Sequence, residues 1–171
     1  MYTTCTREEA KQKVAALIEE NAGMSIPDMA ENIGLKEAEV TLVMPSEMVT
    51  AVEGKHAEAI LTQLPEWGKV TTIIVSFGSI FEIKGTFPKG KTNHGYYNLL
   101  SREGLNGHLR LDLITDIAFV SKPFHGMETH QITFFNAQGE CVFKVYLGRD
   151  KARNLIPEQV EKFHAMKKEF A

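Results

Sequence analysis

The residues best suited to binding chemistry lie near the middle of the chain, in the stretch from His94 to Asp112. The stretch is typical of two strands joined by a Gly- and Asn-rich turn. Its second strand alternates, with Leu109, Leu111 and Leu113 on one face and His108, Arg110 and Asp112 on the other. A histidine beside a cation on an open sheet face can bind a ligand. The alternative is that both side chains are simply solvated.

The last predicted strand carries a second set of polar residues. Val142, Lys144 and Tyr146 share one of its faces. We therefore expect Lys144 and Tyr146 to join His108 and Arg110 on one partly open face. Such a set offers one imidazole nitrogen, phenols and several cations, which suits a planar, dianionic, metal-bearing ligand such as haem. The residue types allow this ligand without selecting it.

Motifs of common enzyme and metal sites are missing from the sequence. It contains no GxSxG, P-loop, HExxH or GxGxxG pattern. The six histidines are scattered, and their spacing fits no closed zinc site. Cys5 and Cys141 form neither a CxxC pair nor a metal spacing. Cys141 lies in an apolar strand, where we expect a small core residue.

Charge is distributed unevenly along the chain. The net charge is −3, yet residues 1–50 carry four Lys/Arg against nine Asp/Glu. Residues 84–110 carry five Lys/Arg against one acidic residue. The acidic head is a poor partner for a polyanion, whereas the basic hairpin region could bind a small anion.

Length and composition predict one globular domain. The chain has 171 residues and is 43% hydrophobic and 24% charged. No apolar run approaches the ~18 residues that span a bilayer. The first residues lack the basic and apolar regions of a signal peptide. Together with the cysteine usage, these features predict a cytoplasmic protein.

Residues 1–64 are predicted to form a helical head. Helices are expected over 6–22, from Ser25 to Gly34, over 36–44, and over 46–53 and 55–64. Thr6 and Glu9 form a capping-box pattern, and Ser25 precedes Pro27 as a cap. Part of the head resembles a helix-turn-helix. Its would-be recognition helix has two acids and one base, which disfavours DNA and favours a structural or protein-contact role.

Residues 65–171 are predicted to form a mostly antiparallel sheet closed by a helix, which gives the α+β class. The predicted elements are strands over 70–77 and 80–84 joined by a turn at Gly78-Ser79, a basic loop over 87–93, the hairpin of 94–112, strands over 114–121, 131–135 and 142–147, and a helix over 157–170. Head and sheet together are expected to form a single domain.

Several sequence motifs occur together in one order. They are Pro65-Glu-Trp-Gly-Lys-Val-Thr-Thr72, His94-Gly-Tyr-Tyr-Asn-Leu99, Gly107-His108, Phe134-Phe-Asn-Ala-Gln-Gly139 and Lys144-Val-Tyr-Leu-Gly-Arg-Asp150. From about residue 10 to residue 168 the chain resembles the HutX/ChuX family of bacterial haem-utilisation carriers. The resemblance implies a fold like one half of the duplicated HemS-type haem proteins.

The family resemblance also implies a function. Members bind imported haem inside the cell and pass it to a downstream haem-degrading or storage protein. A carrier is therefore expected here. The alternative is an enzyme that degrades or reduces haem, which would need an external reductant because no flavin or nicotinamide motif is present. A transcription regulator that uses the head is a third and weaker alternative.

The resemblance points to His108 as a contact to the haem iron. Some members use a second histidine, but this chain has Val75 at the corresponding position. This difference argues against ligation of the haem iron by two histidines. Tyr96, Tyr97 and His94 are the other candidate haem contacts. The cations expected near the propionates are Lys91, Arg110 and Lys144, with Arg149 favoured as a capping or salt-bridging residue instead.

A homodimer is also expected. The chain has the length of one HemS half and no internal repeat, so two chains would supply both halves. Strands 70–77 and 131–147 carry more β-branched and aromatic residues than one set of helices could cover. The alternative is a monomer in which the terminal helices cover those surfaces.

Overall fold

Three helices open the part of the chain that the computed structural model describes, residues 5–171. They are α1 (Arg7–Glu20), α2 (Ile26–Ile33) and α3 (Glu37–Thr41). The Thr6 hydroxyl accepts from the Glu9 N–H at 3.2 Å, and the Glu9 carboxylate accepts from the Thr6 N–H at 2.7 Å. This confirms the predicted capping box. Ser25 caps α2, and Gly34 ends it at a φ of 69°.

The remaining elements are nine strands and two further helices. They are β1 (Val49–Glu53), α4 (Ala57–Gln63), β2 (Lys69–Ser76), β3 (Ser79–Thr86), β4 (Gly90–Asn93), β5 (Tyr96–Leu99), β6 (Gly107–Leu109), β7 (Ile114–Ser121), β8 (His130–Asn136), β9 (Cys141–Leu147) and α5 (Pro157–Phe170). Short 3₁₀ turns cover Gly54–His56, Leu64–Trp67 and Leu111–Leu113. The α+β class and the C-terminal helix are confirmed.

Six of the strands form one sheet and three form another. The large sheet has the order β1-β7-β8-β9-β2-β3, and the small sheet has the order β4-β5-β6. Every neighbouring pair is antiparallel. This matches the antiparallel arrangement that the alternating sequence pattern predicts.

The middle of the large sheet, around β7 and β8, is covered on both faces, whereas β3 at its edge is largely exposed. On one face a cluster that includes Ile132 and Phe134 packs with residues of α4, α5 and the small sheet. On the other face Phe135 packs with residues of α1 to α3. Phe134 stacks on Phe143 with ring centroids 4.4 Å apart. Both faces of the central strand β8 are therefore buried, and this includes its polar residues His130, Gln131 and Thr133.

The buried side chain of Gln159 fastens α5 to the large sheet. Its amide nitrogen donates to the carbonyls of Trp67 at 2.9 Å and Lys69 at 2.7 Å. Its amide oxygen accepts from the Gly148 N–H at 2.7 Å. A buried amide with all three groups paired fixes the helix against β2 and β9.

Four local predictions are wrong. Residues 49–53 form β1 and not a helix, because they pair with β7 and bury Val52. The predicted basic loop contains β4, which pairs with β5. The strand that starts at Gly107 ends at Leu109, ahead of a 3₁₀ turn. The β2–β3 turn lies at Phe77-Gly78, both with positive φ, one residue earlier than predicted.

Candidate functional site

The outer face of the small sheet brings together residues from all three of its strands. Lys91 of β4 lies opposite Asn98 of β5, and Asn98 lies opposite His108 of β6. Tyr96 shares this exposed face two residues before Asn98. The three residues Lys91, Tyr96 and His108, which the sequence analysis selected separately, therefore lie on one surface. We call this surface the hairpin face.

His94 lies at the tip of the β4–β5 hairpin. His94 and Gly95 have φ values of 53° and 81°. Positive φ at both central residues defines a type I′ turn, whose twist matches that of the flanking strands. Glycine adopts this conformation without strain, and histidine is among the residue types that tolerate it best. The His-Gly pair thus presents an exposed imidazole at the end of the hairpin.

Asn98 is the hydrogen-bonding centre of the hairpin face. Its amide nitrogen donates to the main-chain carbonyls of Lys91, Asn93 and Tyr96 at 3.1, 3.2 and 3.2 Å. Its amide oxygen lies 2.6 Å from Nδ1 of His108. The amide therefore links the backbone of the β4–β5 turn to the imidazole on β6.

An aromatic ring and a cation flank His108. The Tyr96 ring meets the His108 ring edge to face, with centroids 5.9 Å apart. The Arg110 guanidinium lies 5.8 Å from the Tyr96 ring centroid. Imidazole, phenol and guanidinium thus form one contiguous surface.

Arg110 is held by a bidentate ion pair with Asp112. Its Nε and Nη2 donate to the two carboxylate oxygens at 2.8 and 2.7 Å. These hydrogen bonds raise the pKa of Arg110 and lower the pKa of Asp112 from their ordinary values. Both side chains are about half exposed, at 47% and 57%. Such an exposed pair contributes little to stability.

A cleft of about 400 Å³ opens at the turn end of the small sheet. Its lining residues are Glu58, Thr92, His94, Gly95, Tyr96, Tyr97, Arg110, Leu111 and Asp112. The Thr92 hydroxyl donates to the Glu58 carboxylate at 2.6 Å, which joins α4 to the hairpin. A larger cleft of about 550 Å³ lies between the α1–α2 and β7–β8 loops and includes none of the site residues that the sequence predicted.

Tyr97 differs from its neighbour Tyr96. It is 1% exposed and belongs to the core beneath the small sheet. Burial, followed by the charge of Glu58, raises the pKa of Tyr97. Its ring lies so close to Gly90 that a Cβ added there would be 2.3 Å from it. Tyr97 thus packs against the core side of the β4–β5 hairpin, although part of its side chain lines the cleft.

Lys144 is not near the hairpin face, contrary to our expectation. It is 5% exposed, and its ammonium donates to the Glu37 carboxylate of α3 at 2.8 Å. Its neighbours Phe143 and Val145 point into the core on the small-sheet side, so Lys144 points to the opposite face. Burial works to lower the pKa of Lys144, but attraction to Glu37 outweighs it and the pKa is raised. Half-buried Tyr146 shares that opposite face.

Three other residues considered from the sequence, Arg149, Val75 and Cys141, lie away from the hairpin face. Arg149 donates to the main-chain carbonyls of Arg153 and Glu128, which is the structural role favoured for it. Val75 lies on β2, on the side of the sheet opposite Ile74 and the core beneath the small sheet. Cys141 is half-buried, and burial, with the charge of Glu37, raises the pKa of its thiol to about 12.

Asn98 was not predicted from the sequence to belong to the site. An asparagine in a short strand has no distinctive pattern, and its link to His108 depends on the register of β5 and β6.

Within residues 5–171, no group of three or more His, Cys, Asp or Glu side chains is arranged to hold a metal ion. Over the same range, no helix combines the length and the apolar character needed to cross a bilayer.

A protein-family model described as "Haem utilisation ChuX/HutX" matches residues 50–166. The chain is 52% identical over 165 residues to the intracellular heme transport protein HutX of Vibrio cholerae serotype O1. That alignment covers 96% of this chain and 86% of HutX.

Solved structures extend the comparison. The heme binding protein ChuX has a TM-score of 0.83 and 33% identity, over 91% of this chain and 97% of that one. The heme degrading enzyme ChuS of Escherichia coli O157:H7 has a TM-score of 0.77 and 22% identity, over 94% of this chain but only 47% of that one. The likeness to ChuS is one of fold, and this chain corresponds to about half of ChuS.

Proposed function

The chain belongs to the ChuX/HutX haem-utilisation family, and from this premise we propose that it is an intracellular haem carrier that binds haem at the hairpin face. The observation that carries the proposal is the exposed row of Lys91, Asn98 and His108 beside Tyr96. The family relation supports haem as the ligand. The row supplies the chemistry that haem requires.

The hairpin face matches each part of haem with a suitable group. His108 offers an imidazole nitrogen to the iron. Tyr96 offers an aromatic surface to the porphyrin. Lys91 and Arg110 offer cations to the two propionates, Arg110 by exchanging its exposed pair with Asp112. His94 borders the same cleft and is a second imidazole within the hairpin.

A single strong iron ligand suits a carrier. Valine stands at position 75, and the hairpin face offers one histidine within its strands, His108. Affinity among related complexes is set mainly by the dissociation rate, so fewer ligands mean faster release. We propose that haem is held here long enough to be protected and is then given to a downstream protein.

The carrier proposal is favoured over a haem-degrading enzyme. HutX, which is 52% identical, is a transport protein, and ChuX is a heme binding protein. The degrading enzyme ChuS is only 22% identical and is about twice as long. We further propose a cytoplasmic location, in line with the intracellular relative.

We propose that the functional unit is a homodimer assembled through the free end of the β2–β3 hairpin. β3 is an edge strand of the large sheet, and its residues Ile80 and Phe81 are 67% and 56% exposed. Phe77 is fully exposed at a φ of 49°, a conformation unfavourable for a bulky residue. Exposed apolar side chains on an edge strand favour pairing with another chain. A second copy would also match the full length of ChuS.

Titration with ferric haem tests the carrier proposal. We expect a stoichiometric Soret band and complete transfer of the haem to apomyoglobin when that acceptor is added. Absence of a Soret shift would overturn haem binding. Loss of the Soret band with a defined tetrapyrrole product, in the presence of ascorbate and oxygen, would replace the carrier with the enzyme.

A further inference from the structure

We propose that Asn98 selects the Nδ1–H tautomer of His108 and thereby directs an unprotonated Nε2 towards the ligand, so that Asn98 is a positioning residue of the hairpin face. The inference rests on the proposed function for its consequence in haem binding. The tautomer itself follows from the protein alone and can be measured without haem.

The orientation of the Asn98 amide is determined by its surroundings. One end of the amide lies 3.1–3.2 Å from the three carbonyl oxygens of Lys91, Asn93 and Tyr96. Only the NH₂ group can donate to carbonyls, so this end is the nitrogen. A flipped amide would place an oxygen against three other oxygens. The end that faces His108 is therefore the amide oxygen.

The amide oxygen in turn determines where the proton of His108 lies. The oxygen has no hydrogen to give, so the 2.6 Å contact to Nδ1 requires a proton on that nitrogen. In the neutral ring the lone pair is then on Nε2. Within residues 5–171 no hydrogen bond uses Nε2 of this exposed side chain. The same arrangement, in which one ring nitrogen is held and the other binds, recurs in metal-ligating histidines.

The three donor bonds of Asn98 also hold its acceptor in place. They bind the carbonyls on both sides of the His94-Gly95 turn, which is itself closed by the pairing of Asn93 and Tyr96. The acceptor for His108 is thus anchored to the β4–β5 backbone. An orienting group held in this way reduces the freedom that the imidazole must lose on binding iron.

Two substitutions at position 98 separate the acceptor from the donors. Asn98→Ala removes the acceptor and the donors, whereas Asn98→Asp removes the donors but keeps an acceptor for Nδ1. Asn98→Ala simply loses the turn contacts, whereas Asn98→Asp sets its second carboxylate oxygen against the same three carbonyls, so the backbone amide NMR spectrum of each variant checks that the turn is retained. Each is measured as the full chain, with its melting temperature recorded.

The first measurement is the ring-nitrogen NMR spectrum of ¹⁵N-histidine-labelled protein without haem, recorded in alkaline buffer. We expect the Nδ1–H form in the wild type and in Asn98→Asp, and a shift towards Nε2–H in Asn98→Ala. An Nε2–H form in the wild type, or no change in Asn98→Ala, would overturn the inference.

The second measurement uses haem-loaded protein. We expect Asn98→Ala to weaken haem binding by about tenfold, a magnitude typical of lost orienting partners, and Asn98→Asp to recover most of it. The iron–histidine Raman band of the ferrous form should lie higher in Asn98→Asp than in Asn98→Ala, since a carboxylate makes the imidazole a stronger donor. Equal bands and affinities in both variants would overturn the positioning role.

His108→Ala distinguishes failure of this inference from failure of the proposed function. If His108→Ala binds haem with an unchanged spectrum, His108 is not the ligand, and the positioning role is overturned with it. The NMR result would still establish the tautomer. If His108→Ala loses the iron–histidine band while Asn98→Ala keeps wild-type affinity, only the role of Asn98 is overturned.

Discussion

Tyr96 and His108 lie edge to face on neighbouring strands, with their ring centroids 5.9 Å apart. The two residues are twelve positions apart in the sequence and meet because β5 and β6 pair in a fixed register. Their contact leaves the exposed imidazole beside an aromatic surface.

Substitution of His108 by alanine should change the Soret band and weaken haem binding by about tenfold or more, or about 1.4 kcal/mol. The reason is the loss of the imidazole nitrogen proposed to bind iron. Absorption titration with ferric haem measures both effects. His164→Ala is the matched control, because His164 is an exposed histidine on α5. A wild-type spectrum and affinity in His108→Ala would rule out His108 as ligand.

The role of His94 can be tested without disturbing its turn. The chain has two His-Gly pairs with positive φ at both residues. The φ values are 53° and 81° for His94-Gly95, and 49° and 74° for His125-Gly126. Asparagine adopts this conformation readily, so His94→Asn and His125→Asn should both keep the melting temperature. We expect only His94→Asn to weaken haem binding. Equal haem affinity in the two variants would remove His94 from the site.

Charge around Arg110 should tune haem affinity. Neutralising Lys91 and Arg110 together as glutamines should weaken binding and reduce its dependence on salt, because both cations are proposed to face propionates. Asp112→Asn should strengthen binding by up to about fivefold, since it releases Arg110 from an exposed pair. Titrations at low and high salt measure these effects. Unchanged affinity in all variants would refute the propionate contacts.

The dimer should depend on Phe77. Phe77→Asn places a residue that tolerates positive φ at a strained position, so the fold should be retained while an exposed apolar ring is lost. We expect light scattering to give twice 19.2 kDa for the wild type and a mass nearer 19.2 kDa for the variant at micromolar concentration. Phe124→Ser removes an exposed phenylalanine from a different loop and should leave the dimer intact. A wild-type mass near 19.2 kDa would exclude the dimer.

The Glu37–Lys144 pair should stabilise the attachment of the head to the sheet. Lys144→Met leaves the Glu37 carboxylate, which is only 16% exposed, without a partner and should cost about 3 kcal/mol in urea unfolding. The double variant Lys144→Met/Glu37→Leu should lose much less unfolding free energy, because both charges are removed together. Equal losses in the single and double variants would show that the charges are not coupled.

The same pair predicts a change in stability at alkaline pH. The pKa of Lys144 in the folded protein is raised above its ordinary value of 10.5. The contribution of the pair to the free energy of unfolding is therefore fully present below pH 10.5. It is lost as the pH rises through the raised pKa of Lys144. The double variant lacks this loss, so the difference in unfolding free energy between it and the wild type should shrink above pH 10.5.

Much of the local structure is determined by the sequence itself. Thr6 with Glu9 and Ser25 with Gly34 specify helix ends through their own side chains and backbone. Strands β7 and β9 follow from runs of β-branched and aromatic residues. Alternation also placed His108 on the polar side of its strand. These features depend on residues a few positions apart, so they can be predicted without knowledge of the fold.

The tertiary structure alone decided which polar faces meet. The alternating pattern predicts that Lys144 and Val145 lie on opposite faces of β9. It does not predict that α3 covers the face with Lys144 and places Glu37 against it. Residues 49–53 became a strand only because β7 was available to pair with them. Likewise, Asn98 reaches His108 only through the register of β5 and β6. Such contacts join residues distant in sequence, and their energies depend on packing that no local pattern contains.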